Sequence, residues 1–261
     1  MAEAPAMPVV FFGHGSPTIA LEQNDVTATW RRVALSMPPP KAILCISAHW
    51  VTRGTAVTAL SHPGTIHDFG PIAPGLFDIQ YPAPGSPALA NRVRDLLAPV
   101  PVALDEGWGL DHGAWSVLMK AWPDADVPVV QLSMDGTRDA AWHYAIGQAL
   151  GPLRDEGVLI LGSGNTVHNL GTMSWQGRYD APYDWAARFS DQIRDAVLAD
   201  EPDRVIHYTA LGADAARAQP TPDHYWPLLY VLGARRPGDV ATAPVDHIEY
   251  KSVGMTSFVL R

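Results

Sequence analysis

Three histidines in this sequence stand directly after short apolar segments. His14 follows residues 9–13, His49 follows residues 43–48, and His168 follows residues 159–165. Short, continuous apolar segments are typical of strands buried on both faces, and residues just beyond the carboxyl ends of such strands converge in the crevice of an open α/β sheet. Neutral imidazoles bind iron, zinc, copper and nickel. One such histidine is as easily a structural residue at a strand end, but three together favour a catalytic metal site.

Two further histidines lie in settings that suit a site. His224 comes just before a predicted helix, and His112 follows Asp111 at the start of another. Each alone is equally a residue of a helix start. His112 could also orient a metal ligand, but a substrate-facing role is favoured for it. His67 either lines the mouth of the crevice or bonds to the local backbone. Surface or structural roles are expected for the others, His62, His143, His207 and His247.

Several other kinds of site lack their motifs in this sequence. The single cysteine, Cys45, rules out a disulfide within the chain and cysteine-rich zinc sites, and its apolar segment predicts a buried, inert thiol. No His-Glu-x-x-His or Gly-x-Ser-x-Gly sequence occurs, which disfavours a zinc peptidase and a serine hydrolase. Residues 162–165 lack the third spaced glycine and the lysine of phosphate-binding loops, so a nucleotide enzyme is disfavoured.

The elements that must position these histidines alternate along the chain. Apolar segments predict strands over residues 8–12, 42–47, 127–132 and 158–161, and a closing strand over 255–260. Apolar residues at three- and four-residue spacing predict helices over 86–97, 114–121, 140–150 and 183–198. This alternation predicts a layered α/β/α fold with a central, mostly parallel mixed sheet and the metal site at the carboxyl ends of its strands. The 24 prolines form no single linker, so we expect one catalytic domain over residues 1–261.

Composition restricts the partners. Apolar residues make up 47% of the chain and charged residues 17%, as in a compact globular protein. The net charge is −9 and the 18 lysines and arginines are scattered, so neither nucleic acid nor an anionic membrane is expected as a partner. The first residues lack a basic segment followed by a long apolar one, and no apolar stretch is long enough to cross a membrane. We therefore expect a cytoplasmic protein, with the oligomeric state open and a homo-oligomer as one alternative.

Five separated motifs carry a family resemblance. The motifs are Gly13-His14-Gly15-Ser16-Pro17, Ser47-Ala48-His49-Trp50, Asp111-His112-Gly113-Ala114-Trp115, Gly162-Ser163-Gly164-Asn165 through His168-Asn169, and Pro222-Asp223-His224. With these motifs in the same order, the chain from about Pro8 onward resembles the DODA-type extradiol ring-opening dioxygenases, in the superfamily of the protocatechuate 4,5-dioxygenase β-subunit. The number and order of the five motifs make the resemblance more specific than any single motif could.

The resemblance implies a metal held by His14, His49 and His224, with His168 as the acid/base and His112 as a catalytic residue that bonds to oxygen or substrate. It implies Fe(II) for activity and a catechol and O2 as substrates, giving a ring-opened semialdehyde. Zn2+ is expected in the same site, but zinc cannot change redox state. Two alternatives stay open: His168 as a further ligand, and the Asp223 carboxylate in place of His224.

The sequence also departs from the family pattern. Pro71-Ile72-Ala73-Pro74 stands where relatives usually have Gly-Phe-Pro, and Trp108 replaces a commonly basic residue, which favours a less acidic or differently shaped catechol. Trp50, Trp115 and Trp226 either wall an aromatic pocket or pack in the core. Two other functions remain as alternatives: a zinc-dependent hydrolase or lyase on the same scaffold, and a non-catalytic metal-binding protein.

Overall fold

A six-stranded sheet forms the centre of the computed structural model, which describes residues 6–261. Residues 1–5, on which the prediction about export partly rests, lie outside the described part. The strand order is β6-β2-β8-β1-β12-β9. Strands β6, β2, β8 and β1 are mutually parallel, and β12 is antiparallel to both of its neighbours, β1 and β9. The central strands are β1 (Val9–Gly13), β2 (Ala42–Ser47), β6 (Val129–Gln131), β8 (Val158–Gly164), β9 (Ala241–Val245) and β12 (Ser257–Leu260).

Both faces of this sheet are buried. Alternate residues of each strand point to opposite faces, so Val9 and Phe11 of β1 join one hydrophobic core, while Val10 and Phe12 join the other. Burial on both sides explains why these strands are continuously apolar rather than alternating. The predicted layered α/β/α fold with a central, mostly parallel mixed sheet is confirmed.

Helices cover the two faces. α1 and α3 pack in the core with Val10, and α2, α4, α5 and α8 in the core with Val9. Polar caps begin several of them: the Ser86, Asp111 and Asp139 side chains each accept a backbone N–H of the first turn. The helices are α1 (Asp25–Leu35), α2 (Pro87–Leu97), α3 (His112–Ala121), α4 (Ala140–Leu150), α5 (Asp184–Leu198), α6 (Pro202–Ile206), α7 (Ala213–Ala218) and α8 (Trp226–Gly233).

Six short strands lie outside the central sheet and form three two-stranded sheets. β3 (Val51–Thr52) pairs with β7 (Met134–Asp135), β4 (Thr55–Thr58) with β5 (Val102–Asp105), and β10 (Ile248–Glu249) with β11 (Val253–Gly254). The sequence does not predict these strands, because most have too few residues to show a strand-like hydrophobic pattern. Among residues 6–261, no helix has both the length and the apolar character that a membrane crossing requires.

The carboxyl ends of three parallel strands meet at one edge of the central sheet. β8 continues to Gly164, beyond the predicted end at residue 161, because Ser163 and Gly164 still pair with Phe12 and Gly13 of β1. The chain stays tied just past the ends: the His14 N–H donates to the Gly164 carbonyl at 3.0 Å. His14, His49 and His168 therefore leave the sheet at a common edge, as expected for a crevice at the strand ends.

Candidate metal centre

His14, His49 and His224 converge at this edge. One ring nitrogen from each lies within 4.8 Å of the others, and the Nε2 atoms of His14 and His49 are 3.2 Å apart. His14 and His224 are almost completely buried, whereas His49 is partly exposed. Of the three, His224 lies in the turn just before α8, whereas His14 and His49 follow strand ends.

Glycines make this convergence sterically feasible. A Cβ on Gly164, the last residue of β8, would collide with the His224 carbonyl oxygen, which accepts the Asn165 N–H at 2.8 Å. A Cβ on Gly113 would lie 2.8 Å from the His49 ring. Because only glycine leaves that space, the segments that carry His224 and His49 can pack directly against β8 and α3.

Hydrogen bonds at the Nδ1 atoms set the tautomers of the His14 and His224 rings. The Ser163 hydroxyl donates its proton to the Gly113 carbonyl at 2.5 Å, so at 3.0 Å from His14 Nδ1 it acts as the acceptor. The Nδ1–H of His224 donates to the Asp223 carboxylate at 2.5 Å. A proton on Nδ1 leaves the lone pair on Nε2, so both rings present a free donor atom to the centre.

Asp68 links His49 with His112. Its Oδ2 lies 3.6 Å from His49 Nδ1, and its Oδ1 accepts the His112 backbone N–H at 2.8 Å. The same Oδ1 lies 2.9 Å from His112 Nδ1, in a close contact whose angle departs from that of a hydrogen bond. Burial by itself would raise the pKa of Asp68, but the contacts with His112 and the charge of His49 outweigh it and lower that pKa. Asp68 is therefore a carboxylate that orients both imidazoles.

Burial keeps the clustered imidazoles neutral. It lowers the pKa of His14 and of His224 well below the ordinary value, and the charges of neighbouring histidines lower both further. It also lowers the pKa of His49 to about 3, with a further contribution from His112, and that of His168 to about 4. Since a metal binds the deprotonated ring, near neutral pH the cluster needs to release no protons before it binds an ion.

The donor set fits a metal ion. Two nitrogens about 2.0–2.1 Å from one ion stand about 3.3 Å apart at a tetrahedral angle, close to the observed 3.2 Å separation of the His14 and His49 atoms. A second set, His49, Asp68 and His112, also brings its ligand atoms within 4.8 Å. There, however, Asp68 is already in contact with both imidazoles. We therefore favour the first set, in which two rings present a free Nε2.

His168 and His112 flank the cluster on different sides. The His168 ring stacks on His224, with centroids 3.4 Å apart and planes inclined by 4°. The His112 centroid lies 3.8 Å from that of His49. Both rings line the same cavity as the three clustered histidines. The structure thus brings together all five histidines that the sequence predicts at the site.

The cavity above the cluster has a volume of about 210 Å³. Most of its remaining wall is apolar and comes from two loops that precede α2 and α5 and from the β10–β11 hairpin. The sequence does not predict these wall residues, because an apolar residue in a loop has no pattern that distinguishes a cavity wall from ordinary packing. They are Phe69, Leu170, Met173, Trp175, Tyr250 and Val253, beside Ile72 from the segment that departs from the family pattern.

Core packing is the correct one of the two alternatives for the tryptophans. Trp50, Trp115 and Trp226 are buried and do not line the cavity, which leaves core packing as their role. Trp108 is also outside the cavity, stacked on Trp50 with centroids 5.6 Å apart. Its replacement of a basic residue therefore does not change the cavity wall directly, in contrast to Ile72.

The other singled-out residues have structural roles. His67 Nε2–H donates to the Ile79 carbonyl at 2.9 Å, so the local backbone contact is the correct alternative for this residue. His143 is buried and contacts the Tyr230 hydroxyl at 2.9 Å. Burial also raises the pKa of the Cys45 thiol well above its ordinary value, which agrees with a buried, inert cysteine.

Comparisons with known proteins identify the family of this chain. The family described as "Catalytic LigB subunit of aromatic ring-opening dioxygenase" matches residues 7–260. The chain is 49% identical to "4,5-DOPA dioxygenase extradiol" of Escherichia coli (strain K12) over 255 residues, which cover 96% of this chain and 93% of that protein. It is 41% identical to a protein of the same name from Beta vulgaris over 245 residues, covering 91% of this chain and 89% of that one.

A solved structure shares the fold. The crystal structure of an uncharacterized protein from Escherichia coli K12 superposes with a TM-score of 0.85 at 45% identity, covering 98% of this chain and 100% of that one. Because the family match and these relatives extend over nearly the whole length, the chain belongs to the LigB family of aromatic ring-opening dioxygenases.

Proposed function

We propose that this chain is an extradiol dioxygenase that uses Fe(II) to open the ring of a catechol with O2, with residues 1–261 as one catalytic domain. The observation that supports it most is the cluster of His14, His49 and His224, which lies under a largely apolar cavity with two further histidines beside it. The names of the relatives agree with this activity and put DOPA among the candidate substrates.

In this proposal His14, His49 and His224 hold the ion through one nitrogen each. Three protein ligands would leave a bound ion accessible from the cavity. Fe(II) held there would supply the one-electron redox chemistry that a catechol and O2 need. Zn2+ fits the same nitrogen donors but supplies no redox chemistry.

His168 is the proposed acid/base. Its ring is neutral near pH 7, because burial lowers its pKa to about 4, so it can accept a proton from a catechol hydroxyl. The stacked His224 ring holds His168 beside the ligand cluster. The protonated ring can then return the proton to an oxygen as the ring-opened product forms.

His112 is the proposed hydrogen-bonding residue on the other side. Asp68 contacts its Nδ1, which leaves Nε2 for a substrate oxygen or O2. Apolar residues such as Phe69 and Val253 line the cavity and limit the water around the reacting groups.

The test is anaerobic reconstitution with Fe(II), followed by air-saturated buffer and a panel of catechols. Oxygen uptake and the visible absorbance of a ring-opened product are recorded together. We expect uptake matched to product, lost in His14→Ala and strongly reduced in His168→Gln although the second variant still binds metal. Absence of uptake with every catechol, despite a full complement of Fe(II), would contradict the proposal.

A further inference from the structure

The cavity wall contains no formal charge to match a charged substrate. In the described chain, the cavity-lining residues include no lysine, arginine, aspartate or glutamate. Beyond the five histidines, most of the wall is Phe69, Ile72, Leu170, Met173, Trp175 and Val253. An anionic group that leaves water needs a cation or several hydrogen-bond donors to compensate for its lost hydration. This wall offers no such cation, and its hydroxyl donors are only those of Ser16 and Tyr250.

One cation that contacts the cavity wall is already paired. The Arg178 guanidinium lies over the ring of Tyr250, a cavity residue, at 5.5 Å from its centroid. It donates to both carboxylate oxygens of Glu22 at 2.7 and 2.8 Å and to both of Glu249 at 2.9 and 3.2 Å. Two carboxylates thus neutralise one guanidinium, and Arg178 has no excess positive charge to attract an anion.

Two carboxylates beside the histidine cluster also disfavour an anionic substrate. Asp68 lies behind His49 and His112, and Asp223 lies behind His224. Their negative charge favours a metal cation at the centre and disfavours a second anion beside it.

Apolar side chains continue from the cavity to the protein surface. Ile72, Leu170 and Trp175 line the cavity and are 45%, 56% and 68% exposed. Large apolar side chains with this much exposure, grouped at the mouth of one cavity, are typical of a surface that binds a ligand. They come from two separate loops, so a group that extends from the ring would contact apolar surface on more than one side.

We propose, as a refinement that rests on the proposed function, that the preferred substrates are catechols with an uncharged, apolar substituent on the ring. The catechol ring would lie beside His14, His49 and His224, and the substituent would lie against Ile72, Leu170 and Trp175 at the mouth. A carboxylate on the same substituent loses water there without gaining a cation, so it weakens binding.

The test compares two ligands that differ only in charge: 3,4-dihydroxyphenylpropanoic acid and its methyl ester. Their dissociation constants are measured by calorimetry on the Zn2+-loaded protein, which binds a catechol without consuming it. We expect the ester to bind about tenfold more tightly than the acid. An acid that binds as tightly as the ester, or more tightly, overturns the inference, and so does failure of both to bind.

A variant with a new cation at the mouth sharpens the result. Leu170→Arg, at an exposed residue, should tighten binding of the acid by about tenfold and leave the ester nearly unchanged. Ile72→Arg serves the same purpose if the first variant does not fold. Leu35→Arg is the matched control, since Leu35 is 67% exposed and lies in α1, outside the cavity lining. Equal effects of Leu35→Arg and Leu170→Arg would contradict the proposed binding at the mouth.

Oxygen uptake by the Fe(II)-loaded protein separates the two proposals. Uptake that is fastest with the acid supports the dioxygenase function and overturns the substrate preference. No uptake with either ligand, combined with tighter binding of the ester to the Zn2+ form, contradicts the dioxygenase function and supports the preference.

Discussion

Replacing Asp223 by asparagine and by alanine tests how far metal binding depends on the carboxylate behind His224. The Nδ1–H of His224 donates to this carboxylate at 2.5 Å. A hydrogen bond to a charged group contributes about 1.5 to 3 kcal/mol, roughly twice as much as a neutral one. Asparagine keeps an acceptor but removes the charge, so we expect a loss of about 1.4 kcal/mol, or about tenfold in metal affinity.

Alanine removes the acceptor as well, and the expected loss rises toward about a hundredfold, the upper end for residues that orient a metal-binding histidine. The assay is competition for Zn2+ with a chromophoric chelator, together with the melting temperature of the metal-free protein. Asp124→Asn is the matched control, because Asp124 is an exposed residue of the loop between α3 and β6 and the net charge changes equally. Affinities of both Asp223 variants equal to the wild type would refute the reasoning, and so would an equal loss in the control.

Three other predictions address the ligand cluster, the packing and the pH dependence. Ser163→Ala removes the acceptor of the His14 Nδ1–H, so it should weaken Zn2+ binding by about tenfold in the same competition assay if His14 is a ligand. An unchanged affinity would contradict the tautomer assignment. Gly147→Ala places a methyl group against the backbone of Tyr230 at the α4–α8 contact and should lower the free energy of unfolding by roughly 1 to 3 kcal/mol. Gly151→Ala, where a Cβ has nothing within 4 Å, should cost nothing in the same urea titration. Burial lowers the pKa of His143 to about 4 from an ordinary 6.5. Above pH 6.5 the residue is neutral in both the folded and the unfolded metal-free protein, so its contribution to the free energy of unfolding is fully present there. That contribution is lost as the pH falls from 6.5 toward 4, because the unfolded chain binds the proton and the folded one does not. The loss is at most about 1.4 kcal/mol per pH unit. If the free energy of unfolding of a His143→Gln variant, from urea titrations, fell equally steeply with pH, His143 would not be the cause.

The sequence alone predicts the layered fold and the five site histidines. Burial on both faces produces continuous apolar strands such as β2, and helices on a sheet produce three- and four-residue spacing, so both patterns are local. The end of a strand is therefore visible in the sequence, and so is the histidine that follows it. His112 and His224 were weaker predictions from their surroundings, since a histidine at a helix start has an equally good structural explanation.

Only the tertiary structure decides how those histidines act together. The tautomer of His14 depends on Ser163, which is 149 residues away along the chain, and the approach of His224 depends on the missing side chain of Gly164. The cavity wall likewise combines loops that are far apart in sequence. It includes Trp175, whereas Trp50, Trp115 and Trp226, the tryptophans that the sequence singles out, are buried. Residue type and local spacing specify which groups can bind a metal. The distances, protonated nitrogens and wall residues come from contacts between distant segments, because those contacts form only when the sheet and its two helical layers pack.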